Sequence, residues 1–296
     1  MTEQLIPARK VADGLVFGEG IRWQGDRIVL SDMIGRRVVR VDPADGRIET
    51  LLEVPGQPNG LAVAETMDVF ILSMFDGKVL RYGNDGAVSV HADLSSVVTG
   101  YLGDAVLDAG GTLYVDDVGS RILHGEPPSA NGRVIRITAD GRVDTLLTGL
   151  SFPNGIVISA DGRRLYLAQS LSQPPSIRSY SIGEDGSLAD EQLFVVPPAP
   201  TDGMGIDDDD GVWACVAAGD AGVYRYDRTG RLTHRVVIEG YEPISCSIGG
   251  PDGRTMAITA IQALHGKSIF DEMRAGRVQA AVFLADVPFE KRMARP

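Results

Sequence analysis

Residues 152–168 read Phe-Pro-Asn-Gly-Ile-Val-Ile-Ser-Ala-Asp-Gly-Arg-Arg-Leu-Tyr-Leu-Ala, which places two apolar runs on either side of an Asp-Gly pair. Asp-Gly supplies the positive φ angles of a tight hairpin turn, so this stretch predicts two antiparallel strands. Residues 177–186 add another apolar run that ends in a second Asp-Gly pair. Together these segments predict one antiparallel unit of four strands.

The same unit recurs along the chain. Its later turn is repeated at Asp45-Gly46, Asp85-Gly86, Asp140-Gly141, Asp185-Gly186 and Thr229-Gly230. A polar residue stands seven positions before the first turn of each unit, and these residues are Glu19, Asn59, Asp104, Asn154, Asp202 and Ser245, at spacings of 40, 45, 50, 48 and 43. Four-stranded units at this spacing are typical of propeller blades. We therefore predict an all-β fold, a six-bladed β-propeller formed as a single domain by residues 1–296. Residues 9–16 are expected to complete the last blade, and residues 267–275 are the one predicted helix.

The six polar residues are expected to form a ring around the central channel. Each is predicted to lie just before an innermost strand, at the face opposite the Asp-Gly turns, and each carries a side-chain oxygen. Carboxylate and amide oxygens that converge on one axis suit a hard divalent cation such as Ca²⁺. The alternative is that Asn and Asp before Gly only make the tight turns that lead into strands.

Composition and charge exclude several classes of protein. The chain has 296 residues, 44% of them apolar, and a net charge of −12 from 28 basic and 40 acidic residues, with no basic segment. Nucleic acids and anionic membranes are therefore poor partners. No apolar run is long enough to span a membrane and no secretory signal is evident, which predicts a cytoplasmic protein. Cys215 and Cys246 lie in apolar runs and are predicted to be buried free thiols. The sequence leaves the oligomeric state open.

Other catalytic motifs are absent or incomplete. Gly-x-Ser-x-Gly does not occur, and the P-loop-like Gly266-Lys267-Ser268 has Ile261 where that motif needs a glycine. The acidic run at residues 207–210 lacks the ligand spacing of an EF-hand and is predicted to be a solvated turn. His124 and His265 fall in loops on the face of the ring, so a role in the site stays open for both.

Several motifs, taken in order, resemble the regucalcin (senescence marker protein)/gluconolactonase family. They are Gly18-Glu19-Gly20, Phe152-Pro153-Asn154-Gly155, Thr201-Asp202-Gly203-Met204 and Gly249-Gly250-Pro251-Asp252, and the resemblance covers about residues 13–290. It implies a six-bladed propeller that binds one divalent metal ion through Glu19, Asn154 and Asp202, and an activity on lactones. Ca²⁺ is favoured, while Zn²⁺, Mn²⁺, Mg²⁺ and Fe²⁺ stay open.

One segment departs from the family pattern. The family has Arg-Phe-Asn-Asp-Gly where residues 101–105 read Tyr-Leu-Gly-Asp-Ala, so two polar contacts to sugar-type substrates are lost. We expect Asn59, Tyr101 and Asp104 to contact the substrate. Ile269, Phe270 and Met273 share one face of the predicted helix and could close over the channel as a lid.

The sequence thus predicts a metal-dependent lactone hydrolase acting on a small-molecule lactone, with Asp202 as general base and a preference for a hydrophobic lactone. The alternatives are a sugar lactonase of the gluconolactonase type, a non-catalytic propeller that binds a metal or a protein, and an enzyme of the strictosidine-synthase-like sort.

Overall fold

The computed structural model describes residues 3–291, and the regular secondary structure of this part of the chain is almost entirely β-strand. Two strands, β1 (Gln4–Pro7) and β2 (Arg9–Leu15), precede the blades. Six sheets follow in chain order, and within each sheet the strands that are consecutive in the chain are antiparallel neighbours. The innermost strands contact one another around a closed ring, so the predicted six-bladed propeller is confirmed.

The first three blades comprise β3 (Gly18–Gln24), β4 (Arg27–Asp32), β5 (Arg37–Val41) and β6 (Ile48–Glu53); β7 (Pro58–Val63), β8 (Val69–Ser73), β9 (Lys78–Tyr82) and β10 (Val88–Asp93); and β11 (Leu102–Leu107), β12 (Leu113–Asp117), β13 (Gly132–Ile137) and β14 (Val143–Leu150). The last three comprise β15 (Pro153–Ile158), β16 (Arg164–Gln169), β17 (Ser176–Ile182) and β18 (Leu188–Val195); β19 (Thr201–Ile206), β20 (Val212–Val216), β21 (Gly222–Tyr226) and β22 (Leu232–Val237); and β23 (Tyr241–Gly249), β24 (Thr255–Gln262) and β25 (Ala280–Asp286). A 3₁₀ turn (Ile122–His124) lies between β12 and β13, and helix α1 (Ile269–Arg274) lies between β24 and β25.

The N-terminal segment closes the ring. Strand β2 pairs antiparallel with β25, with Arg9 opposite Leu284, and so completes the sixth blade as predicted. Strand β1 was not predicted. It pairs in parallel with β22 and gives the fifth blade an extra outer strand, with Gln4 opposite His234. Four residues that are mostly exposed carry no alternation of apolar and polar side chains, so the sequence holds no signal for this strand.

The acidic run after β19, residues 207–210, differs in part from the solvated turn that the sequence predicts. Asp207 is fully buried, and its carboxylate accepts hydrogen bonds from Trp213 Nε1 at 2.8 Å and from Arg225 Nε at 2.7 Å. The prediction of a solvated turn is therefore wrong for Asp207. Its charge is stabilised by the buried guanidinium of Arg225, which offsets the cost of removing the carboxylate from water.

The remaining features of the core follow the prediction. Cys215 and Cys246 are both free and buried, on β20 and β23. The predicted helix at residues 267–275 is present as the shorter α1. Within residues 3–291, neither helical segment is long and apolar enough to cross a membrane.

Candidate active site

Each innermost strand contains a β-bulge at the same level, and these bulges position the site. In β3 the pairing advances three residues, from Glu19 to Arg22, while β4 advances only two, from Ser31 to Val29. The other five innermost strands contain the same single extra residue, between Pro58 and Leu61, Leu102 and Ala105, Pro153 and Ile156, Thr201 and Met204, and Pro243 and Ser245. A bulge re-aims side chains relative to the flat sheet. The ring residues therefore lie inside the innermost strands rather than just before them, as the sequence had suggested.

Glycines beside the ring residues let neighbouring blades approach one another closely. Gly20 follows Glu19 with a φ of +54°, and a Cβ atom there would lie 2.6 Å from the backbone nitrogen of Leu61 in the next blade. A Cβ atom at Gly155 would lie 2.6 Å from the backbone oxygen of Asp202. The Glu-Gly and Asn-Gly pairs are thus explained by tight contact between innermost strands.

Five of the six predicted ring residues line one cavity of about 370 Å³ on the channel axis. They are Glu19, Asn59, Asp104, Asn154 and Asp202. Ser245 is the exception: it is fully buried on β23 and does not line the cavity. Ser245 lies beside Gly203 of the fifth blade, since a Cβ atom at Gly203 would be 2.9 Å from the Cα atom of Ser245.

The three predicted metal ligands lie together in this cavity. Asn154 Nδ2 donates a hydrogen bond of 2.8 Å to Asp202 Oδ1. Burial raises the pKa of Glu19 well above its usual range, and the nearby negative charges of Asp202 and Asp104 raise it further. Burial also raises the pKa of Asp202 to about 7, against the opposing effect of the Asn154 hydrogen bond. Two such carboxylates are stable as charged groups only when a positive charge is close to them.

This donor set fits a hard divalent cation. Glu19 and Asp202 offer carboxylate oxygens, and the amide oxygen of Asn154 is left over when its nitrogen bonds Asp202. Among residues 3–291, no group of three carboxylate, imidazole or thiol side chains is placed to hold a metal ion. A cation held here would therefore depend on the amide oxygen of Asn154 as well as on the two carboxylates.

Asp104 lies on the cavity wall but is already bound to the protein. Arg22 Nη2 donates to Asp104 Oδ1 and to the backbone oxygen of Ala105, both at 2.9 Å. The backbone nitrogen of Asp104 donates to Asp116 Oδ2 at 2.8 Å. Sequence reasoning missed Arg22 and Asp116, although an arginine within the apolar run of β3 was a usable signal for the first.

Burial raises the pKa of Asp116 well above its usual range, and the charge of Asp104 adds to this effect. Asp116 is fully buried, and its Oδ1 atom has no hydrogen-bond partner. A protonated carboxyl is the stable form of such a group.

Asn59 and Tyr101 also line the cavity, and each has a partner in the protein. Asn59 Nδ2 donates to the backbone oxygen of Leu102 at 2.9 Å, which ties the second blade to the third. The Tyr101 hydroxyl forms a hydrogen bond with Nδ1 of His124. Neither His124 nor His265 lines the cavity, so the structure gives no support to a direct role for either.

Above this polar floor the cavity walls are mostly apolar, and Glu242 and Lys267 are their charged members. The loops between the second and third strands of the blades contribute most of these walls, through Met33, Met74, Leu123 and Leu171. Helix α1 and the loop before it add Leu264, Ile269, Phe270 and Met273. The three helix residues that were predicted to share one face all line the cavity.

Comparison with known proteins identifies one family and two relatives that are named lactonases. Residues 17–262 match the model of the SMP-30/Gluconolactonase/LRE-like region. A pentonolactonase from Haloferax volcanii is 26% identical over 251 residues, which covers 82% of this chain and 81% of that protein. A gluconolactonase from Zymomonas mobilis is 29% identical over 140 residues, covering 43% of this chain and 37% of that protein.

Solved structures share the fold. The calcium-binding protein regucalcin from Agrobacterium tumefaciens has a TM-score of 0.81 at 19% identity and covers 99% of this chain, which in turn covers 98% of that one. A gluconolactonase from Xanthomonas campestris has a TM-score of 0.75 at 22% identity, with coverage of 95% and 90%.

Proposed function

The chain belongs to the SMP-30/gluconolactonase/LRE-like family, and we propose that it is a lactonase that works with one bound divalent cation. The observation that carries the proposal is the convergence of Glu19, Asn154 and Asp202 in one axial cavity. Two relatives carry the names pentonolactonase and gluconolactonase, which denote enzymes that open a lactone ring. Asn59, Tyr101 and Asp104 line the same cavity and are the proposed substrate contacts.

The cation would be held by Glu19, Asp202 and the amide oxygen of Asn154. Ca²⁺ suits them best because it accepts oxygen ligands with loose geometry. When bound, a divalent cation polarises an ester carbonyl and acidifies water. A cation beside these carboxylates also explains why two acidic groups are buried together, because without one they carry raised pKa values.

In the proposed reaction Asp202 takes the proton from the attacking water. Beside a bound cation the Asp202 carboxylate would be held in its charged form, which is the form that can accept a proton. The N–H of Asn154 fixes one oxygen of this carboxylate, which leaves the other to meet the water. The proton is later delivered to the alkoxide that leaves when the ring opens, so that the products are a hydroxy acid and the regenerated carboxylate.

Metal reconstitution tests this proposal. The protein is stripped with a chelator, reloaded separately with Ca²⁺, Mg²⁺, Mn²⁺ or Zn²⁺, and assayed with a pH indicator on a panel of alkyl and sugar lactones. We expect hydrolysis only in the reloaded samples. The proposal fails if every reloaded sample binds metal but opens no lactone, since that result identifies a non-catalytic metal-binding propeller.

A further inference from the structure

The cavity separates its polar and apolar groups by depth. Most polar side chains lie on the floor, in the bulges of the innermost strands, while the loops and α1 surround the space above with mainly apolar side chains. The charged exceptions are Lys267, in the loop before α1, and Glu242, whose Oε1 atom accepts a hydrogen bond from the backbone nitrogen of Leu264. Two floor groups are partly committed: Asn59 Nδ2 donates to Leu102 and Asp104 Oδ1 accepts from Arg22, while Asp104 Oδ2 has no partner. A polyhydroxylated ligand needs a hydrogen-bond partner for each buried hydroxyl, because an unpaired one costs free energy.

The wall offers few free hydroxyl groups. The Ser170 hydroxyl donates to the backbone oxygen of Thr201, and the Tyr101 hydroxyl bonds His124, which lies outside the cavity lining. Tyr101 therefore presents its ring to the cavity. Phe75 packs against both rings, with centroid distances of 5.1 Å to Tyr101 and 5.1 Å to His124, and holds this orientation. Among the serine, threonine and tyrosine residues of the described lining, only Thr201 has a hydroxyl without a hydrogen-bond partner.

Helix α1 lies over the cavity and contacts two other blades. Arg274 Nη1 donates to the backbone oxygen of Ile122 at 2.8 Å, which joins the helix to the 3₁₀ turn of the third blade. The ring of Phe270 lies edge-on to that of Phe152, with centroids 5.9 Å apart, which joins it to the fourth. The helix thus reaches from the sixth blade to two others and covers the cavity with Phe270 and Met273.

We infer that the substrate is a lactone whose ring reaches the polar floor and which carries an alkyl or aryl group of several carbons under α1. This inference rests on the proposed lactonase activity and concerns its substrate class. An apolar substituent gains from each carbon it removes from water, whereas a sugar lactone would leave unpaired those hydroxyl groups that face the apolar side chains of the wall.

Three lactones test the substrate class on the metal-loaded protein: γ-butyrolactone, γ-nonalactone, which carries a five-carbon chain, and glucono-δ-lactone. We expect kcat/KM to rise by up to about fourfold per buried methylene, the change that ~0.8 kcal/mol per CH₂ corresponds to. Glucono-δ-lactone should be at least about tenfold poorer than γ-nonalactone. A preference of that size for glucono-δ-lactone overturns the inference and leaves the lactonase proposal standing.

Binding of a lactam tests the apolar site independently of lactone hydrolysis. The alkyl lactam that matches γ-nonalactone has no ester to hydrolyse, so calorimetry reports the cavity alone. If no lactone is opened but this lactam binds at least tenfold more tightly than the unsubstituted lactam, the apolar site stands and the reaction is wrong. Equal affinity for the two lactams overturns the inference.

Variants in α1 locate the apolar group. Phe270→Ser should lower the ratio of kcat/KM for γ-nonalactone over γ-butyrolactone by about tenfold, and Met273→Gln should lower it less. Leu193→Ser is the matched control, because Leu193 is 53% exposed on β18 and does not line the cavity. An unchanged ratio in both helix variants, with the fold intact by circular dichroism, would show that α1 does not contact the substrate.

Discussion

Asn154 donates a 2.8 Å hydrogen bond to Asp202 across the junction between the fourth and fifth blades. The two residues are 48 positions apart in the chain, yet each is the second residue of its innermost strand and lies at the start of a bulge. The bond uses one amide N–H and one carboxylate oxygen. It leaves the amide oxygen of Asn154 and the second oxygen of Asp202 for a cation and a water.

Replacing Asp202 by Asn should remove the general base. We expect kcat to fall by ~10²- to 10⁴-fold, the usual contribution of a positioned base, with circular dichroism unchanged. Asp85→Asn is the matched control, since Asp85 lies in an exposed turn far from the cavity. Full turnover by a metal-loaded Asp202→Asn variant would remove Asp202 from the role of base.

Chelation should lower the melting temperature. A ligand that binds only the native state stabilises it by about 2.7 kcal/mol at a hundred times its Kd. Calorimetric scans with and without chelator measure the effect. Glu19→Gln should weaken metal binding and so reduce the shift. An equal chelator effect in Glu19→Gln and the parent protein would show that the cation binds elsewhere.

Without metal, stability should decrease as the pH rises. Burial raises the pKa values of Asp202 and Asp116, so the folded state holds protons that the unfolded chain releases near its lower, normal pKa. This stability is present below the unfolded value of about 4 and is lost as pH rises through the folded values, at up to about 1.4 kcal/mol per pH unit for each group. Melting temperatures in chelator should thus be higher near pH 5 than near pH 8.

The substitution Asp116→Asn tests the contribution of one group to that slope. It keeps an oxygen for the backbone nitrogen of Asp104 and removes the titrating proton. The metal-free variant should lose less stability between pH 5 and pH 8 than the parent. An identical pH dependence would mean that Asp116 is already charged in the folded protein.

Breaking the ion pair of Arg22 and Asp104 should lower the free energy of unfolding. Both side chains are buried, at 16% and 8% exposure, and loss of one partner from such a pair typically costs about 3–5 kcal/mol. Denaturant unfolding of Arg22→Met measures the cost. The double variant Arg22→Met with Asp104→Asn removes both charges and should recover part of the stability that Arg22→Met loses.

The matched control for this pair is Arg142→Met. Arg142 and Asp140 form an exposed ion pair, at 77% and 63% exposure, which is worth less than about 1 kcal/mol. If Arg22→Met is no more destabilising than Arg142→Met, Arg22 contributes little to holding the channel together.

The repeat pattern by itself predicted the blade number, the closing strand β2 and the level of the ring. Asp-Gly turns and alternating apolar runs are local signals, and their period of 40 to 50 residues has one common architectural meaning. Glu19, Asn59, Asn154 and Asp202 were identified as cavity residues because equal positions in equal repeats meet around the axis. Asp104 also lines the cavity, although it is the third residue of β11 and the other four are the second residues of their strands.

Only the tertiary structure decided what each of these residues contacts. Arg22 and Asp104 are 82 positions apart and bond because β3 and β11 are both innermost strands, separated in the ring only by β7. The Tyr101 hydroxyl bonds His124 rather than facing the cavity, and Ser245 is fully buried outside the cavity lining. Repeats determine where a backbone position falls. The hydrogen bonds and burial of its side chain depend on neighbours from other blades, and no local pattern in the sequence encodes them.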